Sequence, residues 1–237
     1  MWLINSSIGR KVVMSVTGIA LILFLTFHCC MNIVALFSGE AYNMICELLG
    51  ANWYAVVATL GLAALAVIHI VYAFILTAQN RTARGNSRYD VATTVNAGKV
   101  EWASKNMLVL GIIICLGLLL HLFNFWYNMM FAEIMGFSAG HLPSDGFAFI
   151  IDTFQNPVFA VLYIIWLVAI WFHLTHGFWS AMQTLGWSGK IWLCRWKMIG
   201  IIYVTLLMLC FLVVVLAFWF GCAPSLCDGS CCGSFCC

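Results

Sequence analysis

Aspartate, glutamate, lysine and arginine are absent from five long stretches of this chain: residues 12–39, 48–80, 106–132, 153–189 and 198–227. The stretches are 28, 33, 27, 37 and 30 residues long, whereas about 20 apolar residues in a helix suffice to cross the hydrocarbon core of a bilayer. Only helices and closed barrels satisfy their backbone inside lipid, and barrel strands alternate apolar and polar residues with a period of two. Runs such as Ile112-Ile113-Ile114 and Phe211-Leu212-Val213-Val214-Val215 show no alternation. The expected fold is an all-α membrane protein. It has one five-helix transmembrane domain over 1–221, with helices at about 11–37, 53–79, 106–131, 157–185 and 198–220, and a Cys-rich tail over 222–237.

Composition removes the competing classes. The chain is 65% hydrophobic and 8% charged, against roughly 45–50% and about 25% in a soluble domain. That surface cannot be covered in water, and disordered chains are poor in apolar residues. A net charge of +2 with ten basic residues argues against a nucleic-acid partner. Asn156-Pro157 reads as an N-cap followed by proline at the first helical position, and Gly186 and Gly189 mark the far end of that helix. The apolar run after Lys11 is too long for a secretory signal and lacks a small-residue cleavage site, so it reads as an uncleaved first helix.

With five spans, all ten basic residues fall on one side: Arg10, Lys11, Arg81, Arg84, Arg88, Lys99, Lys105, Lys190, Arg195 and Lys197. The positive-inside rule makes that side cytoplasmic. Glu40, Glu47, Glu133, Asp145, Asp152 and Asp228 fall on the other. The expected location is a bacterial inner membrane, with the N-terminus cytoplasmic and the C-terminus periplasmic. The connecting segments are short, so a catalytic domain would belong to another chain.

Four histidines, His28, His69, His121 and His173, lie deep in four different spans. An ionisable residue at such depth is costly and marks a functional site. One alone would read as a histidine bonded to a carbonyl; one in each of four helices does not. Helices one and three run outward, so His28 and His121, 17 and 15 residues into them, lie nearer the outer face. Helices two and four run inward, so His69 and His173, each 16 residues in, lie nearer the cytoplasm. At 1.5 Å rise per residue the two levels stand ~12 Å apart. Two histidine pairs, each bridging two helices, have the geometry of two bis-histidine b haems, since a planar macrocycle takes one axial nitrogen from each side. Zinc prefers four close ligands, and the C-x-x-C-H pattern of covalent haem is absent. A proton-coupled transporter with a histidine relay stays open as an alternative, although the spans carry no acid and no sequence interruption of the kind such proteins use. Gly18 precedes His28 by ten residues and Gly111 precedes His121 by ten. That places a glycine of each outer-ligand helix near the inner level, where a missing side chain admits a macrocycle or, equally, close helix packing.

Ser15-Val16-Thr17-Gly18 followed by His28, Gly111 followed by His121, and His173-x-x-x-Gly177 continuing to Gly186-Trp187 give the chain a family likeness. It resembles the five-helix, single-subunit dihaem cytochrome b anchor of succinate dehydrogenases and fumarate reductases, over nearly all of its length up to about Gly221. The resemblance implies two haem b groups, an outer one on His28 and His121 and an inner one on His69 and His173. It selects His173 rather than His176 as ligand, and matches Ser15 to a position that contacts an inner-haem propionate. It also implies cytoplasmic flavoprotein and iron–sulfur subunits as partners, with electrons exchanged with a membrane quinone, menaquinone by class. The whole complex could pair as a dimer, and another membrane oxidoreductase could use the same cytochrome b architecture.

Two features exceed the pattern. Some members carry a glutamate two residues before the helix-four ligand, where this chain has Trp171, so that proton pathway is not assigned. The tail holds Cys222, Cys227, Cys231, Cys232, Cys236 and Cys237 on the side where disulfides are permitted; disulfides, metal binding and free thiols stay open for it. Cys29, Cys30, Cys46, Cys115, Cys194 and Cys210 fall mostly in helices, where packing is the expected role. Quinone chemistry also needs a proton-accepting side chain. Glu47 is the best acid by depth and side for this catalytic relay, beside its plainer reading as a solvated carboxylate. His176, one turn beyond His173, is read as supporting the inner haem or as packing, and His141 as an exposed loop residue.

Overall fold

The computed structural model describes residues 6–84, 102–138 and 140–226. Arg88, Lys99, Asp228 and the cysteines from Cys227 onward lie outside the described residues. The described residues form helices and no strand: α1 (Ser7–Phe37), α2 (Gly39–Leu48), α3 (Trp53–Arg84), α4 (Trp102–His121), α5 (Ala132–Met135), α6 (Gly146–Gln155), α7 (Pro157–Thr184) and α8 (Lys190–Trp219). A π-helical segment, Leu122–Phe131, joins α4 to α5 in one continuous rod. Five helices are long and apolar enough to cross a membrane, which makes this an all-α, membrane-type fold.

Local chemistry sets the ends. α1 starts at Ser7, four residues before the sequence-based boundary, because the Ser6 hydroxyl accepts from Gly9 N at 2.9 Å and satisfies one of the free N–H groups of the first turn. At the other end Ser38 closes α1 and opens α2, its hydroxyl accepting from Ala41 N at 3.2 Å. Asn156 caps α7 as its sequence indicated, accepting from Val158 N at 3.0 Å with Pro157 at the first helical position. α7 stops at Gly186, whose φ of 83° is open to glycine at little cost. There Trp187 N donates to Met182 O and Gly186 N to Gln183 O, at 3.0 and 3.1 Å, the paired bonds of a Schellman turn. α8 begins at Lys190, eight residues before the expected 198. Its first two turns hold Trp192, Arg195 and Lys197, with the Arg195 guanidinium 5.1 Å from the Trp192 ring centre and the Lys197 ammonium 4.2 Å from that of Trp179, contacts of a cation on an aromatic face.

Antiparallel and parallel contacts define the bundle. α4 and α7 are antiparallel, Trp102 meeting Phe172 and His121 meeting Tyr163, and so are α7 and α8, Trp171 meeting Thr205 and Phe178 meeting Trp196. α3 starts beside Glu133, at the far end of the α4 rod, and reaches Thr17 of α1 only at its midpoint, His69, so it runs antiparallel to α1. α8 lies parallel to α1, with Tyr203 on Thr26, Leu207 on Cys29 and the turn after it on Ala35. Arg10, Lys11, Arg81, Arg84, Lys105, Lys190, Arg195 and Lys197 therefore gather at one end of the bundle, and Glu40, Glu47, Glu133, Asp145 and Asp152 at the other.

The core is built by α1, α7 and α8 with help from α4, around Cys29, Ala35, Tyr163, Leu167, Val204 and Phe218. α3 stands apart: it packs along α1 and barely touches α4, and apart from Ala55 its described side chains are half-buried or exposed. The acidic end is covered by α2 and α6, which the sequence reading treated as loops. Asn43 ties them, donating to Asp145 Oδ1 at 2.8 Å and accepting from Phe147 N at 2.9 Å, while Asp145 caps α6 through Ala148 N at 3.2 Å. Glu133 accepts from Ala51 N at 2.9 Å and closes the turn between α2 and α3.

Candidate functional site

The structure brings the four intramembrane histidines together two by two. The ring centres of His28 and His121 lie 5.7 Å apart with planes crossing at 89°; those of His69 and His173 lie 6.4 Å apart, crossing at 66°. Each pair joins two helices that have few direct contacts of their own. The levels are distinct. His69 sits beside Thr17, eleven residues before His28 on α1, which is ~16 Å of helix. His121 sits between Tyr163 and Trp166, at 6.2 and 5.7 Å, seven to ten residues before His173 on α7, or ~10–15 Å.

The spacing within each pair admits a metal. An imidazole nitrogen lies ~2 Å from a bound metal and ~1.2 Å from its own ring centre, so two imidazoles on opposite sides of one atom hold their centres a little over ~6 Å apart. The two observed separations bracket that distance. Both pairs also contain a ring nitrogen in deficit: Nδ1 of His121 and Nδ1 of His173 are buried without a hydrogen-bond partner, a condition that costs ~1–3 kcal/mol. Among the described residues no three His, Cys, Asp or Glu side chains come together as a metal-binding group.

The outer pair is enclosed by aromatics. Phe24 stacks 5.5 Å from His28 and Phe211 lies 6.0 Å away, while Phe125 is 5.2 Å from His121. Trp166 is held over His121 by a bond from its Nε1 to Ile114 O at 3.1 Å, and its indole fills the space where a side chain at Gly117 would be. Buried Asn124 reaches the Tyr163 hydroxyl at 3.5 Å. Directly after His121 the backbone widens into the π segment, where Asn128 donates to Phe123 O at 3.2 Å and Asn124 O at 3.0 Å. Those side-chain bonds supply donors to carbonyls that the wider turn realigns. Trp166, Gly117, Asn124 and Tyr163 were missed by sequence reasoning; Asn124, a polar residue one turn from an intramembrane histidine, was the available signal.

The inner pair has a different setting. His69 Nδ1 lies 3.1 Å from Thr17 Oγ1, and a Cβ at Gly18 would come within 3.3 Å of His69 Cε1. Gly18 thus admits the imidazole itself to the face of α1. At Gly111 a Cβ would meet nothing within 4 Å, so that glycine is not a helix-packing contact. Ser15 is buried on α1 near the same level. His176 packs on Trp179 at 4.8 Å, and the Lys197 ammonium lies 4.2 Å from that indole's centre. Trp171 donates from Nε1 to Thr205 at 2.9 Å, tying α7 to α8.

Two sequence-selected residues lie away from the pairs. Glu47 is exposed and lines an open cleft of about 270 Å³ with Glu40, Asn43, Ser144 and Asp145. α1 runs nine residues beyond His28 before α2 begins, ~14 Å of helix, so Glu47 does not touch the outer pair. His141, read as an exposed loop residue, pairs with Asp152 at 2.7 Å and packs on Phe149. Comparison with known proteins finds no matching family model, no matching curated protein and no matching solved structure.

Proposed function

We propose that this chain is a membrane cytochrome b that holds two b haems in a bilayer and serves as the quinone-reacting anchor of a succinate dehydrogenase/fumarate reductase complex. The observation that carries the reading is the meeting of four imidazoles, from four spans, as two facing pairs at two depths. The sequence resemblance supplies the class of complex. Sidedness follows from the basic end: it faces the cytoplasm of a bacterial inner membrane, where flavoprotein and iron–sulfur subunits dock.

His28 and His121 hold the outer haem, and His69 and His173 the inner one. When bound, the two groups supply one-electron carriers between an iron–sulfur partner and a membrane quinone, with menaquinone the expected type. The protein's work is orientation and exclusion of water. Aromatic side chains around His28 and His121 keep the outer site apolar, a lever on potential in any haem protein. Ser15 and His176, at the basic end, are placed to receive a propionate. Glu47, in the acidic cleft, is the proton relay for quinone reduction.

The test is spectroscopic. Purified protein should show a reduced b-type spectrum with two haems per chain. His28→Ala or His121→Ala should each remove one and the same haem, and His69→Ala or His173→Ala the other. Folded protein without haem would instead favour the histidine-relay transporter. Two haems without co-purifying flavoprotein and iron–sulfur subunits, and without succinate-dependent quinone reduction, would point to another oxidoreductase.

A further inference from the structure

We propose that Thr17 is a positioning residue: its hydroxyl holds His69 in one tautomer, turns the far edge of that ring toward His173 and makes the inner site electronically distinct from the outer one. This inference rests on the haem reading above. Thr17 is 5% exposed. Its Oγ1 lies 2.8 Å from Val13 O, 3.1 Å from Met14 O and 3.1 Å from His69 Nδ1. A hydroxyl has one proton to donate, and two backbone carbonyls of α1, which can only accept, compete for it. With the hydroxyl proton on the Val13 carbonyl, the oxygen meets His69 as an acceptor, and the Met14 carbonyl is a second acceptor beside the same ring; in this assignment Nδ1 carries the ring's proton, with Thr17 fixing its direction. The lone pair of the neutral ring is then on Nε2.

Gly18 fixes which edge faces where. A Cβ there would lie 3.3 Å from Cε1 and 3.8 Å from Nδ1 of His69, so the Nδ1–Cε1 edge rests on α1. The Nε2–Cδ2 edge is left for the gap toward His173. Thr17 and Gly18 together act as a clamp, one by a bond and the other by the absence of a side chain. His121 and His173 have no such support, since their buried Nδ1 atoms lack partners. An Nδ1–H bond to an acceptor makes the other nitrogen a stronger donor, and a stronger axial donor favours the more highly charged oxidised metal.

Redox potentiometry on the purified holoprotein tests this with Thr17→Val, which keeps shape and loses the hydroxyl, and Thr17→Ser, which keeps it. The expected result is two haems in Thr17→Val, with the midpoint of the His69-dependent one moved to higher potential and the other unmoved. The low-temperature resonance signal of that haem should move with it, and Thr17→Ser should restore both. Loss of the inner haem in Thr17→Val but not in Thr17→Ser also supports the role. Unmoved potentials in Thr17→Val, equal shifts of both haems, or failure of Thr17→Ser to restore would overturn it while leaving the haem reading intact. A wild-type protein without haem would overturn the haem reading itself.

Discussion

Replacing Gly117 by alanine places a methyl group inside the Trp166 indole, closer than any two carbons can sit. Non-bonded carbons rest at ~3.5–4 Å, so the indole must move by more than ~1 Å. Two losses follow. Overpacking a filled interface costs ~1–3 kcal/mol, and breaking the Trp166 Nε1 bond to Ile114 O costs ~1 kcal/mol more. Alanine's helical preference over glycine returns ~1 kcal/mol, which leaves a net loss of ~1–3 kcal/mol. The displacement is directional. Trp166 lies 5.7 Å from both His121 and Tyr163, so the outer pair feels it, while the inner pair, ~10 Å along α7, does not. Thermal unfolding in detergent followed by tryptophan fluorescence should show a lower midpoint, and the optical spectrum should change for the haem that depends on His121 alone. Gly111→Ala on the same helix, where the methyl group meets nothing in the protein, is the stability control. Wild-type stability and an unchanged outer-haem spectrum in Gly117→Ala would refute the packing argument.

Other consequences concern the cap at the acidic end. Asn43→Ala removes the two bonds that join α2 to α6 and should cost ~1–3 kcal/mol, read as faster amide exchange or proteolysis over residues 38–52 and 140–156. Ser225→Ala removes the buried bond to Ala35 O at 2.6 Å and should lower stability by ~1 kcal/mol, seen as loosening after α8 with the histidine pairs unchanged. Burial pushes the Cys46 thiol up from 9.0 to about 11, against opposing hydrogen bonds from Tyr42 and the Gly146 backbone. A group that loses its proton later in the folded state stabilises the fold below its unfolded value and loses that contribution as pH rises past it. The cap should therefore weaken between pH 9 and about 11, and Cys46→Ser should flatten that part of the stability profile.

The five spans were legible in the sequence because lipid imposes a length and forbids charge, and both constraints act on residues in order along the chain. Histidine depth was legible for the same reason. A helix rises by a constant amount per residue, so counting from its boundary places His28 with His121 and His69 with His173 in level, and the folded rings meet in those pairs. The cap of Asn156 on α7 and the stop at Gly186 are likewise local, written in the residues that form them.

What the sequence did not disclose depends on contacts between distant residues. α2 and α6 are ten residues each and exist by leaning on one another through Asn43 and Asp145, 102 positions apart. α6 buries Phe149, Ile150, Thr153 and Phe154 on one helical face, but a helix of ten residues is too short to stand without its partner, so the period alone does not separate it from a loop. The π segment depends on where Asn128 finds carbonyls and on how aromatic rings such as Trp126 and Phe131 stack, a choice between windings too close in energy for composition to settle. Gly18 and Gly111 look equivalent by spacing, yet one receives the edge of His69 and the other borders open space. Thr17, an unremarkable helix residue by type, gains its meaning from a ring 52 positions away. Length and charge in lipid act on the chain one helix at a time, whereas the environment of each imidazole is a sum over several helices, and only packing brings those terms together.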